Sequence, residues 1–366
     1  MASITKTGIE IFATRNQAVN FGPGSKPDVK PPPNSNKIVV KHYHLNFEKI
    51  TTREPVFSIL LSSDDSSRNP LFHNGCVYLP QKDELYVMSD LLQSTSSSTL
   101  PSILISQVSL RRKPDDPQQS VCAVEWMKLR PPSSMPMPAG ACRYRDGILY
   151  CSQGNLTPDS GGLWYMPWRK PPTPILTSCF HKPFNSIQGV VEDPEGGLWF
   201  TDSSAGSEQE IRPRPRLPNQ VYRFDPKTGD LRVVADGFGR PTAITLGKEG
   251  ILYVTDTDAI RPDGSTDPTR AATIYAFDIT QISGSYFLTN RRVFAYVKEG
   301  VPTAVVCDDD GNVYAACGDG VEVWSAGGTA LGLIEIPGGC TSLCFGKKGE
   351  LFISAAQRLW WVQLHR

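Results

Sequence analysis

The sequence predicts an all-β fold: a six-bladed β-propeller of four-stranded antiparallel blades, with the ring closed by an N-terminal strand. Three observations carry that expectation. A hairpin pattern recurs six times, strand-like runs fill the gaps between copies, and the last copy ends too near the C-terminus to complete a blade unaided.

The copies run Gly75–Asp90, Gly140–Gln153, Gly189–Asp202, Ala243–Asp256, Ala304–Cys317 and Leu343–Ala355. Each is an apolar run, a turn, and a second run carrying an apolar–aromatic or paired apolar step, such as Leu198-Trp199 or Leu351-Phe352. Turns such as Glu249-Gly250 and Asp310-Gly311 are strong hairpin signals, because glycine supplies the positive φ of a tight reversal. Repetition every few tens of residues predicts a radial array.

The intervening runs are Gly162–Pro167, Val221–Asp225 with Leu231–Ala235, Ile274–Ile279 with Arg292–Val297, and Val321–Trp324 with Gly332–Ile336. Two hairpins per repeat make a four-stranded blade. After the last copy, Leu359–Leu364 supplies a third strand and nothing remains for a fourth. The missing strand must come from Lys37–Val40 or Val56–Leu61, which removes an exposed edge by joining the two ends of the chain. The second segment is preferred, since it lies just before the first blade.

A length of 366 residues by itself suggests two or three domains, but a closed repeat architecture absorbs that much chain. The expectation is one propeller domain over 37–366, preceded by an irregular Pro-rich lead-in over 1–36. With 37 basic and 37 acidic residues there is no electrostatic reason to expect nucleic acid or an anionic membrane surface as a partner. No apolar run reaches the length of a membrane span, and Met1–Asn16 lacks the apolar core of a signal peptide. The compartment stays open, secreted or vesicular if a leader has been removed, and so does the oligomeric state.

The nine cysteines include no CxxC pair, and an odd count leaves at least one thiol free. Cys142 with Cys151, and Cys307 with Cys317, link the two strands of a hairpin; cross-strand pairs and buried free thiols both remain open. Asn155-Leu156-Thr157 is a glycosylation acceptor only on a secretory route. There is no GxSxG elbow, HExxH, phosphate-binding loop or dinucleotide fingerprint. Of the five histidines, His42 and His44 alternate around Tyr43, which reads as a solvated pair on one strand face.

Function must then follow from the geometry of the fold. In a propeller, the residue opening each innermost strand sits at the mouth of the central channel, which here points to Asn74, Ala139, Gln188, Thr242, Thr303 and Ser342. The long loops 91–102, 203–220 and 257–273 emerge at the same end and would form walls and a lid. Arg212, Arg214 and Arg216 alternate with prolines, a stiff arrangement suited to holding guanidinium groups over an anionic or carbonyl-bearing ligand. A solvated basic loop has the same pattern.

The strings PEGGLWFTDSSAG, GILYVTDTDA, GVPTAVVCDDDGNVYAACGDGVEVW and GKKGELFISAAQRLWWVQL resemble the senescence-marker-protein, gluconolactonase and lactonohydrolase family of six-bladed propellers, from about Phe72 to Leu364. The resemblance implies a lactonase holding one divalent ion, commonly calcium, through a Glu of the first blade, two Asn of middle blades and an Asp of the fifth. Asn74 stands where the family has the glutamate, Gln188 and Thr242 where it has the asparagines, and Thr303 where it has the aspartate. Calcium affinity follows the number of carboxylates, so no metal and no cofactor are expected here.

What remains is a cup of neutral donors and acceptors, suited to small apolar substrates. Some fungal propellers similar to this family act in secondary metabolism as metal-independent hetero-Diels–Alderases, joining a tropolone-derived quinone methide to a humulene-type terpene in tropolonic sesquiterpene biosynthesis. That resemblance implies a pericyclase in which Gln188, Asn74, Thr242 or Thr303 is catalytic, binding the heterodiene oxygen. Ser342, Arg212, Arg214, Arg216 and Arg270 would then bind substrate. The alternatives are a lactone or ester hydrolase and a catalytically silent small-molecule-binding propeller.

Overall fold

The computed structural model describes residues 35–364, apart from 52–54, 65–68, 93–100, 117–119 and 348, together with three short N-terminal strands. Described from the channel outward, blade 1 comprises Asn74–Leu79, Glu84–Met88, Ile105–Arg112 and Val121–Leu129. Blade 2 comprises Pro138–Tyr144, Gly147–Ser152, Gly162–Pro167 and Thr173–Leu176. Blade 3 comprises Ile187–Glu192, Leu198–Asp202, Gln220–Phe224 and Leu231–Ala235. Blade 4 comprises Pro241–Leu246, Ile251–Asp256, Thr273–Ile282 and Ser285–Tyr296. Blade 5 comprises Ala304–Cys307, Val313–Cys317, Gly320–Trp324 and Ala330–Glu335.

Blade 6 takes Ser342–Phe345, Glu350–Ala355 and Arg358–Gln363 from the C-terminal end and Val56–Ser62 from the N-terminal side. Val56–Ser62 pairs antiparallel with Arg358–Gln363, so the preferred closing strand is the one that closes the ring. The other candidate region is also a strand: Val39–His42 adds to the outer edge of blade 5 against Gly332–Glu335. Within the segment read as an irregular lead-in, Thr5–Gly8, Ile11–Ala13 and Asn16–Ala18 extend blades 1, 6 and 5. The Pro-rich stretch 22–33 lies outside the described residues.

The turns behave as their glycines require. Glu249 and Gly250 both have positive φ, at 58° and 73°, and Gly311 has 86°. The second strand of a blade is covered on both faces by neighbouring blades, which is why Glu84–Met88, Leu198–Asp202 and Val313–Cys317 are buried at every position. The outermost strand, such as Leu231–Ala235, is only half buried. Among the described residues the apolar core divides into six clusters, one between each pair of adjacent blades.

Blades 6 and 1 are also joined by charge at the turn end of the ring. Arg112 of blade 1 donates to both carboxylate oxygens of Glu350 at 2.8 and 2.9 Å and to both oxygens of Asp83 at 2.7 and 2.9 Å. Lys347 and the Tyr78 hydroxyl donate to Asp83, and the Trp361 indole donates to Glu350. All nine cysteines are free thiols. Neither hairpin pair is directly opposed, since Cys142 faces Leu149 and Cys307 faces Val313.

The two neighbouring histidines do not share a strand face, because the strand ends at His42. His42 packs edge-on against Phe47, whereas the His44 Nδ1 accepts the Asn46 N–H and caps the short helix Leu45–Lys49.

Candidate functional site

The inner strands open on a channel cavity of about 190 Å³, bordered by Asn74, Ala139, Gln188, Thr242, Thr303 and Ser342, with Thr341 beside them. The repeat pattern builds this ring. Thr201, next to the end of the second strand of blade 3, accepts the Gly189 N–H at 3.0 Å and donates to the Thr242 carbonyl of blade 4 at 2.7 Å. Thr303 donates to the Thr341 carbonyl at 2.9 Å, carrying the stitch from blade 5 to blade 6. The Thr341 hydroxyl donates to the His73 carbonyl at 2.6 Å, and the Cys76 N–H to the Ser342 hydroxyl at 3.0 Å, joining blade 6 to blade 1.

Asp202, which follows Thr201, and Asp256, which follows the equivalent Thr255 of blade 4, hold the approach to the mouth. Asp202 accepts the N–H groups of Asn185 and Ser186 at 3.0 and 2.6 Å, and Asp256 those of Gly239 and Arg240 at 2.9 and 2.8 Å. Burial pushes the Asp202 carboxyl up to about 7, against the opposing pull of those two amides and of Arg212. Glycine follows Gln188 because the inner strands press together: a Cβ on Gly189 would lie 2.5 Å from the Thr242 carbonyl oxygen.

The mouth side chains differ in what they leave free. Gln188 donates its amide to Gln153 and to the Ser186 hydroxyl, both at 2.9 Å. The Thr242 hydroxyl lies 2.7 Å from that of Thr257 and 3.2 Å from the Arg240 carbonyl. Thr303 is committed to the Thr341 carbonyl, and Ser342 to the Cys76 N–H. The Asn74 carboxamide, half buried, has no hydrogen-bond partner among the described residues.

The arginines divide in the same way. Arg212 departs from the expectation of a lid residue: it is 4 % exposed, and its guanidinium donates to the carbonyls of Phe184, Asn185, Asn155 and Thr157. It ties the loop after the second strand of blade 3 to the corresponding loop of blade 2. Arg270 grips Asp258 with two parallel bonds of 2.8 and 2.7 Å. Arg214 and Arg216 are exposed beside Phe184 and Asn185.

Two features at this end carry no sequence signal of their own. An apolar cavity of about 480 Å³ lies over blades 1 and 2, walled by Ile103, Pro131, Pro132, Met137, Leu156 and Ile211. It adjoins the mouth: the Met137 carbonyl accepts the Gln153 N–H, and the Gln153 side chain accepts from Gln188. The second feature is His73, directly before Asn74. Its Nδ1 is buried with no hydrogen-bond partner among the described residues, and its Nε2 lies 3.9 Å from Asp90 Oδ1. Burial lowers its pKa, with the Asp90 carboxylate opposing. A larger open basin of about 700 Å³ occupies the turn end, lined by Lys82, Arg145 and Glu192, and none of the sequence-predicted site residues borders it.

Six four-stranded blades around a channel with a polar mouth define a six-bladed β-propeller. The chain belongs to the SMP-30/gluconolactonase/LRE-like family, whose profile matches residues 105–357. It is 27 % identical over 297 residues to the lactonohydrolase oryL of Aspergillus oryzae, covering 76 % of this chain and 62 % of that protein. It is 28 % identical over 241 residues to a gluconolactonase of Zymomonas mobilis, covering 61 % of this chain and 65 % of that protein. The chain thus spans less than two thirds of the length of either relative. Among solved structures it resembles a gluconolactonase of Xanthomonas campestris, with a TM-score of 0.67 and 20 % identity over 89 % of this chain and 94 % of that one. It also resembles a calcium-binding regucalcin of Agrobacterium tumefaciens, with a TM-score of 0.54 and 15 % identity over 81 % of this chain and 92 % of that one.

The donors at the mouth do not fit a hard divalent ion. Such an ion needs oxygen ligands with negative charge to offset its dehydration. Asn74, Gln188, Thr242 and Thr303 provide none, and the last three already hold protein partners.

Proposed function

We propose that this chain is a metal-independent enzyme that binds apolar, oxygen-bearing small molecules at the mouth. Its reaction is an intermolecular hetero-Diels–Alder cycloaddition joining a tropolone-derived quinone methide to a humulene-type terpene. The observation that carries this reading is the Asn74 carboxamide, which has no hydrogen-bond partner among the described residues, in a mouth where the Gln188 amide N–H and the Thr242 and Thr303 hydroxyls already hold protein partners. The carboxamide N–H donates to the heterodiene oxygen as charge builds there. Orientation supplies the larger share, since binding two reactants in an attack geometry is worth on the order of 7–11 kcal/mol. The adjoining cavity supports the reading, because about 480 Å³ of mostly apolar wall falls within the usual size of small-molecule sites.

A second reading, a lactone or ester hydrolase, is favoured by the names of the relatives and by His73 beside Asp90, an arrangement suited to a general base. One experiment separates the two. Purified protein is incubated in chelator with a hydroxymethyl tropolone and humulene, and separately with a panel of lactones. The first reading expects adducts of one stereochemistry, formed faster than in buffer, with about a tenfold or greater loss in Asn74→Ala and little change in His73→Ala. No adduct above the buffer rate rejects it. Lactone hydrolysis lost in His73→Ala establishes the second.

A further inference from the structure

We propose that Cys76 and Cys344 are a modification site: the two thiols close to a disulfide that staples blade 6 to blade 1 in the presence of a low-molecular-weight disulfide.

The two sulfurs are 3.2 Å apart, on the innermost strands of adjacent blades. The gap to a bond of about 2.05 Å is therefore only about 1.2 Å. The backbone at this point is already fixed by the bond from the Cys76 N–H to the Ser342 hydroxyl, and the same interface is clamped at the turn end by Arg112 between Asp83 and Glu350. The strands that carry the sulfurs cannot drift apart without breaking both. Cys76 and Cys344 are 7 % and 9 % exposed, and both border the central channel, which gives a small oxidant a route to them.

The chemistry balances as thiol–disulfide exchange. One protein sulfur attacks the small disulfide, forming a mixed disulfide and releasing one small thiol. The second protein sulfur then displaces the other. Two protein thiols are oxidised, one small disulfide is reduced to two thiols, and the two protons pass to those thiols. Burial holds the Cys344 thiol well above its ordinary pKa, so exchange is slow at neutral pH and quickens as pH rises. The link closes a loop spanning 268 positions, so it restricts the unfolded chain strongly. The proposal is independent of the reaction performed at the mouth.

The test is oxidation of the whole protein with 2-hydroxyethyl disulfide, a small disulfide suited to the channel, followed by alkylation under denaturing conditions, peptide mapping and thermal unfolding. The expected result is loss of two thiols per chain, one linked peptide pair containing Cys76 and Cys344, and a Tm higher by about 5 °C that dithiothreitol reverses. Cys344→Ser and Cys76→Ala should each abolish the link and the shift, while Cys142→Ser, which alters another channel cysteine, should leave both. Nine free thiols after oxidation, a link through Cys142, or a shift retained in Cys344→Ser overturns the proposal. Peptide mapping of the unsubstituted protein decides it even if a variant fails to fold.

Discussion

The Thr201 hydroxyl donates to the Thr242 carbonyl oxygen at 2.7 Å while accepting the Gly189 N–H at 3.0 Å, so one buried side chain holds the mouth ends of two neighbouring blades. Thr201→Val keeps the shape and removes both bonds. With two backbone groups left unsatisfied, the expected loss is about 2–4 kcal/mol in urea unfolding. Thr201→Ser should recover most of it. A Val variant as stable as the parent would show that the stitch contributes nothing.

Arg212 offers a contrast within one loop. Its guanidinium is buried on four carbonyls, whereas Arg214 and Arg216 are exposed. Arg212→Ala should cost about 3 kcal/mol or more by orphaning those carbonyls, and Arg212→Lys should rescue little because an ammonium lacks the planar fork. Arg214→Ala and Arg216→Ala should each stay within about 0.5 kcal/mol. Equal losses for the three would refute the division.

The Asp202 carboxyl, pushed up to about 7 by burial, makes stability depend on pH. An unfolded aspartate releases its proton near ~3.9, so between about 4 and about 7 the folded state binds more protons than the unfolded. Stability due to this group therefore falls as pH rises through that window. In Asp202→Asn the slope disappears. The Tm of the parent minus that of the variant should shrink between about pH 5 and about pH 7.5, and a difference independent of pH would show that the carboxyl titrates elsewhere.

Calcium affinity should be restorable by charge. A variant carrying Asn74→Glu, Gln188→Asn, Thr242→Asn and Thr303→Asp places two carboxylates and two amides around the mouth. Titration calorimetry should then detect calcium with Kd below about 1 mM, against no measurable heat for the parent. Calcium heat in the parent would contradict the reading of the mouth as unfit for a dication.

The ring was legible in the sequence because each hairpin is local: a turn glycine and two apolar runs specify it without reference to the rest of the chain. Closure by Val56–Ser62 was legible from the shortage of strands at the C-terminal end. The extra pairing of Val39–His42 with blade 5 was not, since an outer edge accepts a strand without any repeat to announce it. The mouth positions followed from the fold, and Asn74, Gln188, Thr242, Thr303 and Ser342 do border one cavity. The fate of Arg212 could not be read, because its partners are backbone carbonyls and an Arg–Pro alternation looks the same exposed or buried. Likewise, His73 and the cavity over blades 1 and 2 arise from residues distant in the chain, whose proximity no local pattern encodes.

Blade 6, assembled from both ends of the chain, sets a timetable for synthesis. The strand Val56–Ser62 leaves the ribosome early, yet its partner begins at Arg358, and the Ser63 hydroxyl meets the carbonyl of Gln357 across 294 positions. At translation rates of about 5–20 residues per second, the edge of that strand that will face Arg358–Gln363 stays open for roughly 15–60 s. The nascent chain in that interval is an open arc, prone to pairing with other chains, and a stop codon anywhere before blade 6 leaves the arc permanently unclosed.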